Sequence, residues 1–260
     1  MGDADIDRTK GLVRWPSESY RQEWRERSAV PWLVVSIVLA LGVPVISITD
    51  PAFYLRWIDN ETTGLQEIAH ALLPAICLII ALRLLTRPLV RGDWLMTAWL
   101  TIIALGCLYL AGEEISWGQH FIGWETPESL ARLNDQEETN LHNVSSWLDQ
   151  RPRTLLKVGI YGGTLILPFL WLMPRSPLPE RPSPSYPPLH LWPVAVGLLV
   201  VDLGGDILDQ TIYEQLPWRD GELEETFIVL FMLGYMLALY RRIASLERGS
   251  GFRVVSQPAI

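Results

Sequence analysis

Apolar runs of about 20 residues are the feature that most constrains the fold of this chain. A helix of that length crosses about 30 Å of hydrocarbon. Because backbone inside a bilayer has to satisfy its own hydrogen bonds, only helical bundles and closed barrels span it. The runs are rich in Leu, Ile and Val and lack the alternation of barrel strands. The sequence therefore predicts an all-α, polytopic transmembrane helical bundle.

About six such runs are present, which sets the expected number of spans. The predicted spans are Val30–Thr49, Gln66–Leu85, Asp93–Gly112, Thr154–Met173, Leu191–Leu208 and Glu225–Tyr240. Gly42 and Pro44 predict a kink in the first span.

Two capping patterns predict short interfacial helices between the spans. Asp50 followed by Pro51 is typical of a capped helix start. Thr126 followed by Pro127 predicts a second such helix over residues 127–133.

The distribution of arginine predicts the orientation of the bundle. Arginines occur in the N-terminal arm 1–29, the loop 83–91, the Pro-rich linker 174–189 and the tail 242–260. These segments alternate as six spans require, so the transmembrane domain 30–241 is expected to have both termini in the cytoplasm. The loop 113–153 is then extracytoplasmic, although the cations at positions 151, 153 and 157 run against the rule.

The net charge of −8 bears on the partners of the chain. An acidic chain does not offer the basic patch that phosphate backbones require, which excludes nucleic acid as the expected partner. The apolar runs make the lipid bilayer the expected surroundings.

On this topology, carboxylates and histidines gather at the extracytoplasmic side. The candidates at this level are Glu67, His70, Glu113, Glu114, Trp117, Gln119, His120, Glu138, Asn140, His142, Asn143 and Glu225. Adjacent helical residues point about 100° apart, so one of the pair 113 and 114 is expected to face the interior. We expect this to be Glu114, with Trp117 beside it.

The fifth predicted span adds two aspartates on one helical face, Asp202 and Asp206. Asp202 is expected near the middle of the bilayer. A carboxylate at that depth costs about 2.5–3.5 kcal/mol, which predicts a functional role. A protonated aspartate that hydrogen-bonds to a neighbouring helix is the structural alternative.

Three of the four histidines lie on the same side, and they predict a divalent-metal site. In this interpretation the ion is bound by His70, His120 and His142, or alternatively by His142 with Glu114 and Asp206, with zinc favoured over iron or manganese. Glu67-x-x-His70 also has the spacing used in di-iron helical bundles, but such a pair occurs once in the chain.

The metal site predicts a hydrolase or transferase that acts on a lipid or lipid-linked substrate at the membrane boundary. The candidate catalytic carboxylates are Glu114, Glu225, Asp202 and Asp206, with Glu114 or Glu225 as general base. Two other classes stay open. A proton- or cation-coupled carrier would use Asp202 and Asp206 as a relay, and a non-catalytic assembly subunit would dock a basic protein partner on its acidic surface.

Two motifs carry a resemblance to a known group of proteins. GEEISWGQ at Gly112–Gln119 and ETNLHN at Glu138–Asn143 resemble segments of bacterial multi-pass membrane proteins of uncharacterised activity. The resemblance implies an inner-membrane protein and no particular reaction. Within the motifs it points to Glu113, Glu114, Trp117, Gln119, Asn140, His142 and Asn143.

Overall fold

The computed structural model describes residues 27–60, 63–127, 146–172, 183–209 and 220–249, and it contains only helices as regular elements in these ranges. In chain order they are α1 (Val30–Thr49), α2 (51–58), α3 (Leu65–Leu85), α4 (Pro88–Arg91), α5 (Trp94–Glu114), α6 (Gln119–Ile122), α7 (146–172), α8 (Trp192–Asp209) and α9 (Asp220–Gly249). Single turns of 3-10 helix at Ser116–Gly118 and Leu189–Leu191 precede α6 and α8. The predicted all-α class is confirmed for this part of the chain.

Within the described ranges, four helices are long and apolar enough to cross a membrane. They are α1, α3, α5 and the stretch Gly221–Arg248 of α9. Helix α8 belongs to a shorter apolar stretch, Leu189–Gly205. The structure therefore supports four of the six predicted spans, and the count of six stays a prediction.

Helix α3 lies at the centre of the described fold, where it packs along both α5 and α9, while α8 packs against α9. The core between these helices is apolar, and it includes the free thiols of Cys77 and Cys107 as small packing side chains. Leu and Ile side chains such as Leu41, Ile102 and Leu105 are exposed on the outer faces, as expected for surfaces that contact lipid tails. This packing brings the start of α3, the end of α5 and the start of α9 to one end.

Prolines explain two turns of π-helix. The π-helical segments Val38–Gly42 and Gly162–Ile166 each end two residues before a proline, Pro44 and Pro168. Proline has no N–H to donate, and its ring clashes with the carbonyl four residues earlier. A wider turn relieves that clash. The irregularity predicted at Gly42 and Pro44 therefore takes the form of a π-helical turn.

Helix α2 begins as the sequence predicts. The Asp50 carboxylate accepts a hydrogen bond from the Phe53 backbone N–H at 3.0 Å, and Pro51 occupies the first turn. Tyr54 and Ile58 are buried against the bundle. The second capped helix, predicted over 127–133, falls outside the described residues from position 128 onward.

The last part of the Pro-rich linker packs on α9. The buried Arg242 guanidinium donates hydrogen bonds to the carbonyls of Pro184, at 2.8 Å, and Tyr186. The Tyr235 hydroxyl donates to the Ser185 carbonyl at 2.7 Å. Because a Pro-rich segment has few N–H groups to pair with its own carbonyls, side-chain donors satisfy them instead.

Close packing of α8 on α9 predicts a stability effect at Gly197. A Cβ atom there would lie 2.5 Å from the buried ring of Phe227. We expect Gly197→Ala to destabilise the detergent-purified protein by about 1–3 kcal/mol, the usual cost of overpacking, measured as a lower unfolding temperature. Gly106→Ala is the control, since a Cβ on that α5 glycine meets nothing within 4 Å. Equal behaviour of the two variants would contradict the predicted α8–α9 contact.

Candidate functional site

One histidine and two glutamates, side chains of the types that can bind metal ions, converge where α3 meets the start of α9. The His70 Nδ1 atom lies 3.6 Å from a carboxylate oxygen of Glu222 and 3.6 Å from one of Glu225. The ligand atoms of all three side chains lie within 4.8 Å of one another, so this group, termed the metal triad below, can hold a metal ion. The histidine is only 2% exposed, whereas the two glutamates are about a quarter exposed. Solvent therefore reaches the triad from the carboxylate side.

Hydrogen bonding assigns the protonation of the His70 ring. The Thr226 hydroxyl donates its single proton to the Glu222 carbonyl at 2.9 Å. The contact of 2.9 Å between Thr226 Oγ1 and His70 Nε2 is then a bond in which the imidazole donates. In the neutral ring the lone pair is consequently on Nδ1, which has no hydrogen-bond partner and faces the two carboxylates. Metal-binding histidines typically donate a hydrogen bond through the ring nitrogen that does not face the metal.

Arg153 of α7 contacts one end of the triad. Its guanidinium donates to Oε1 of Glu225, while Oε2 of the same carboxylate faces His70. The two oxygens of Glu225 thus have different partners. One is held by a cation of the chain, and the other remains directed at the histidine.

Two further carboxyls, Glu67 and Glu114, lie beside the triad. The ionisable side chains that act most strongly on Glu114 are Glu225, Glu67 and Glu222, and Glu67 is within hydrogen-bonding reach. Glu67 precedes His70 by three residues on α3, which places both on the same helical face. Glutamates from three helices therefore meet at this end of the bundle.

The chain after Glu114 turns back onto α5. Ser116 and Trp117 have positive φ angles of 46° and 55°, and the Trp117 indole N–H donates to the buried carboxylate of Glu113 at 2.6 Å. A Cβ atom on Gly112 would lie 2.9 Å from the Trp117 ring, so glycine leaves the space that the ring occupies. The left-handed turn directs the indole N–H to Glu113, and the expectation that Trp117 lies beside Glu114 stays a prediction.

Asp202 is part of a separate cluster between α7, α8 and α9. The Lys157 ammonium lies 2.6 Å from an Asp202 oxygen and 2.8 Å from a Glu224 oxygen. The Tyr161 hydroxyl donates to the other Asp202 oxygen at 3.1 Å. An ion pair with a lysine offsets the cost of placing a carboxylate in an apolar helix, so the chain itself supplies partners for both oxygens of this aspartate.

The other predicted site residues are described in part or not at all. Gln119 donates from its side-chain amide to the Thr126 hydroxyl at 2.9 Å. His120 lies on α6 and Asp206 on α8, but their side chains are outside the described part of the structure. Glu138, Asn140, His142 and Asn143 lie wholly outside it. The predicted three-histidine set thus stays a prediction.

Sequence reasoning missed several residues of the site. They are Glu222 and Thr226 on α9, Arg153 and Lys157 on α7, and Tyr161. Helical spacing was the available signal. Glu222 and Glu225 repeat the i, i+3 spacing of Glu67 and His70, and positions 153, 157 and 161 form a polar stripe at i, i+4, i+8.

Comparison with known proteins gives no relative for the chain. It matches no protein-family model, no curated protein and no solved structure. The bacterial inner-membrane assignment implied by the two motifs therefore stays a prediction.

The turn after α5 predicts an energetic coupling between Gly112 and Trp117. We expect Gly112→Ala to lower the unfolding temperature, because the added methyl group displaces the indole from Glu113. In a Trp117→Ala background the same glycine substitution should cost less, since no ring is left to displace. A double-mutant cycle on the purified protein measures this coupling, and simple additivity would contradict the turn described above.

The cluster of Lys157, Asp202 and Glu224 predicts an order of stabilities. Removing the lysine charge alone should destabilise the protein more than removing all three charges. Lys157→Met leaves the carboxylates of Asp202 and Glu224 without their shared partner. We expect a loss of roughly 1.5–3 kcal/mol, the range for hydrogen bonds to charged groups. Adding Asp202→Asn and Glu224→Gln should restore part of the unfolding temperature, because it removes the uncompensated charges. No recovery in the triple variant would argue against the ion pairs.

Proposed function

We propose that this chain is a membrane protein that binds a divalent metal ion at His70, Glu222 and Glu225, and that it uses the ion in hydrolysis or group transfer on a lipid or lipid-linked substrate. The observation that carries the proposal is the convergence of the unpartnered His70 Nδ1 atom with two carboxylates at 3.6 Å. Lone pairs on three such atoms repel one another unless a cation or a proton lies among them.

The geometry of the triad supports metal binding over a purely structural role. Metal–ligand distances of about 2.0–2.2 Å allow donor atoms of one ion to be at most roughly 4.4 Å apart. The described separations require only small side-chain movements to reach that range. The exposed side of the two glutamates leaves a path for the ion and for a substrate.

The metal would supply Lewis acidity and would make water a better nucleophile at neutral pH. The chain supplies the orientation. Thr226 holds the His70 ring through Nε2, with the Gln66 amide as a second donor to the same hydroxyl at 3.4 Å. Arg153 holds the outer oxygen of Glu225.

The two carboxylates considered as general base have different surroundings in the structure. Glu225 belongs to the triad, which favours a ligand role for it. Glu114 lies beside the triad among other carboxyls. There it has two possible roles, as the acceptor of a proton from water or as a further metal ligand.

The proposal includes the six-span topology with both termini in the cytoplasm. It is supported by the apolar stretch Leu189–Gly205 and by the apolar second half of α7, Leu167–Leu172. In this orientation the triad lies at the outer membrane–water boundary, where a lipid headgroup is within reach. Trp57, Trp94 and Trp117 are exposed, consistent with interfacial positions.

The proposal predicts metal bound through the triad. Protein purified in detergent without chelator is expected to contain a transition metal, measured by elemental analysis, and His70→Ala and Glu222→Gln should lose it. Thr226→Val should keep the fold but weaken metal affinity about 10–100-fold, the usual effect of losing a partner that orients a ligand.

Matched controls come from the other end of the bundle. His190 is also a buried histidine, and Glu247 is also a glutamate of α9, but neither lies in the triad. His190→Ala and Glu247→Gln are expected to retain the metal. A wild-type protein that binds no metal would refute the enzyme proposal and favour the assembly-subunit alternative. That alternative predicts that a basic protein partner co-purifies with the chain.

A further inference from the structure

We infer that Lys157 is a positioning residue for the metal triad, because it holds the carboxylate that lies between the two triad glutamates on α9. This inference rests on the proposed function and deepens it, since it names a residue outside the ligand set that sets the metal affinity. Lys157 belongs to α7, and its ammonium pairs with Asp202 and Glu224 rather than with a carboxylate of the triad.

The first turns of α9 carry two triad glutamates and, between them, a lysine-bound one. Glu222 and Glu225 each have a carboxylate oxygen 3.6 Å from His70 Nδ1. The buried Glu224 lies between them in the sequence, and its carboxylate is 2.8 Å from the Lys157 ammonium. Adjacent residues of a helix point about 100° apart, so a rotation of α9 that moves Glu224 also moves Glu225. The ion pair of Glu224 therefore fixes the direction from which Glu225 approaches His70.

A second contact from α7 acts on the same turns of α9. Arg153 donates to Glu225 Oε1, and it precedes Lys157 by four residues, which places both cations on one face of α7. A Cβ atom on Gly221 would lie 3.0 Å from the Arg153 Nη1 atom. Helix α7 thus lies close against the first turn of α9, where its two cations pair with two adjacent glutamates.

Asp202 of α8 anchors the lysine. Its two carboxylate oxygens have separate partners, the Lys157 ammonium at 2.6 Å and the Tyr161 hydroxyl at 3.1 Å. Tyr161 follows Lys157 by about one helical turn, so both partners come from the same face of α7. The ammonium therefore bridges α8 and α9, and a carboxylate outside the triad fixes its position.

Positioning and long-range charge predict opposite effects on metal affinity. A nearby cation repels a metal ion, so loss of the Lys157 charge by itself would tighten metal binding. Loss of a positioning residue weakens binding, because metal–ligand distances have to be met within about 0.2 Å. Removing a partner that orients a ligand usually lowers metal affinity about 10–100-fold. Lys157 acts through Glu224, so we expect the lower end of this range.

The test is a Co²⁺ titration of the whole chain in detergent, followed by the visible absorption of the bound ion, which reports its coordination geometry. Lys157→Met is expected to weaken Co²⁺ binding about 10-fold and to change the absorption spectrum of the saturated site. Lys157→Arg keeps the charge and the reach to both carboxylates, so it should keep the wild-type affinity and spectrum. In a Glu224→Gln background, Lys157→Met should have little further effect, because the carboxylate through which it acts is gone.

Two further variants complete the test. Arg87→Met also removes a cation that pairs with an α9 glutamate, Glu247 at 3.3 Å, but near the far end of that helix. It is the matched control and should bind Co²⁺ as the wild type does. The double variant Lys157→Met with Asp202→Asn removes one charge of each sign. It should show the same weakening, and it replaces the single variant if that one does not fold.

The outcomes separate this inference from the proposed function. Unchanged or tighter Co²⁺ binding in Lys157→Met would overturn the positioning role and leave the triad intact. Equal weakening with and without the Glu224 carboxylate would do the same, as would a Lys157→Arg variant that binds as weakly as Lys157→Met. Wild type that binds no Co²⁺, or that binds it equally well after His70→Ala, would overturn the proposed function and the positioning role with it.

Discussion

Compensation of buried carboxylates is the constraint on which this bundle depends. An ionised side chain removed from water requires a partner of opposite charge, and losing that partner is far more costly than never having the charge. On the α7 side the compensation comes from the chain itself, through Lys157 and Arg153. On the α3 and α5 side, His70 presents an acceptor to the carboxylates. This asymmetry is the physical basis of the metal site proposed at His70, Glu222 and Glu225.

Helical geometry divides adjacent carboxylates between structure and site. Glu113 accepts the Trp117 indole N–H, whereas Glu114 is directed to the cluster. On α9, Glu224 pairs with Lys157, and its neighbour Glu225 faces His70. Adjacent residues on a helix point about 100° apart. The two carboxylates of each pair therefore reach different partners.

Sequence patterns were sufficient for the features that depend on local chemistry. The apolar runs of α1, α3, α5 and α9, and the Asp50 cap, follow from periodicity and from hydrogen bonds within a few residues. Contacts such as the one between His70 and Thr226, 156 positions apart in the chain, depend on how helices pack. The only local signal at Glu222 was its i, i+3 spacing to Glu225, and that spacing does not identify His70 on α3 as the partner. The hydrogen bond from Trp117 to Glu113 depends on a left-handed turn after α5, which helical periodicity does not predict.

The sequence by itself predicted that the chain is helical, that about six of its segments span a membrane, and that carboxylates and histidines flank those segments. In the described part of the structure, four helices are long and apolar enough to do so. Those properties follow from hydrophobicity and from residue position, both of which can be read from the amino-acid sequence. The tertiary structure decided which carboxylates meet His70, which are neutralised by lysine and arginine, and which nitrogen of the imidazole faces the cluster. The physical reason is that compensation of a buried charge depends on distances of a few ångströms between helices, and these are set by packing at positions such as Gly197 and Phe227.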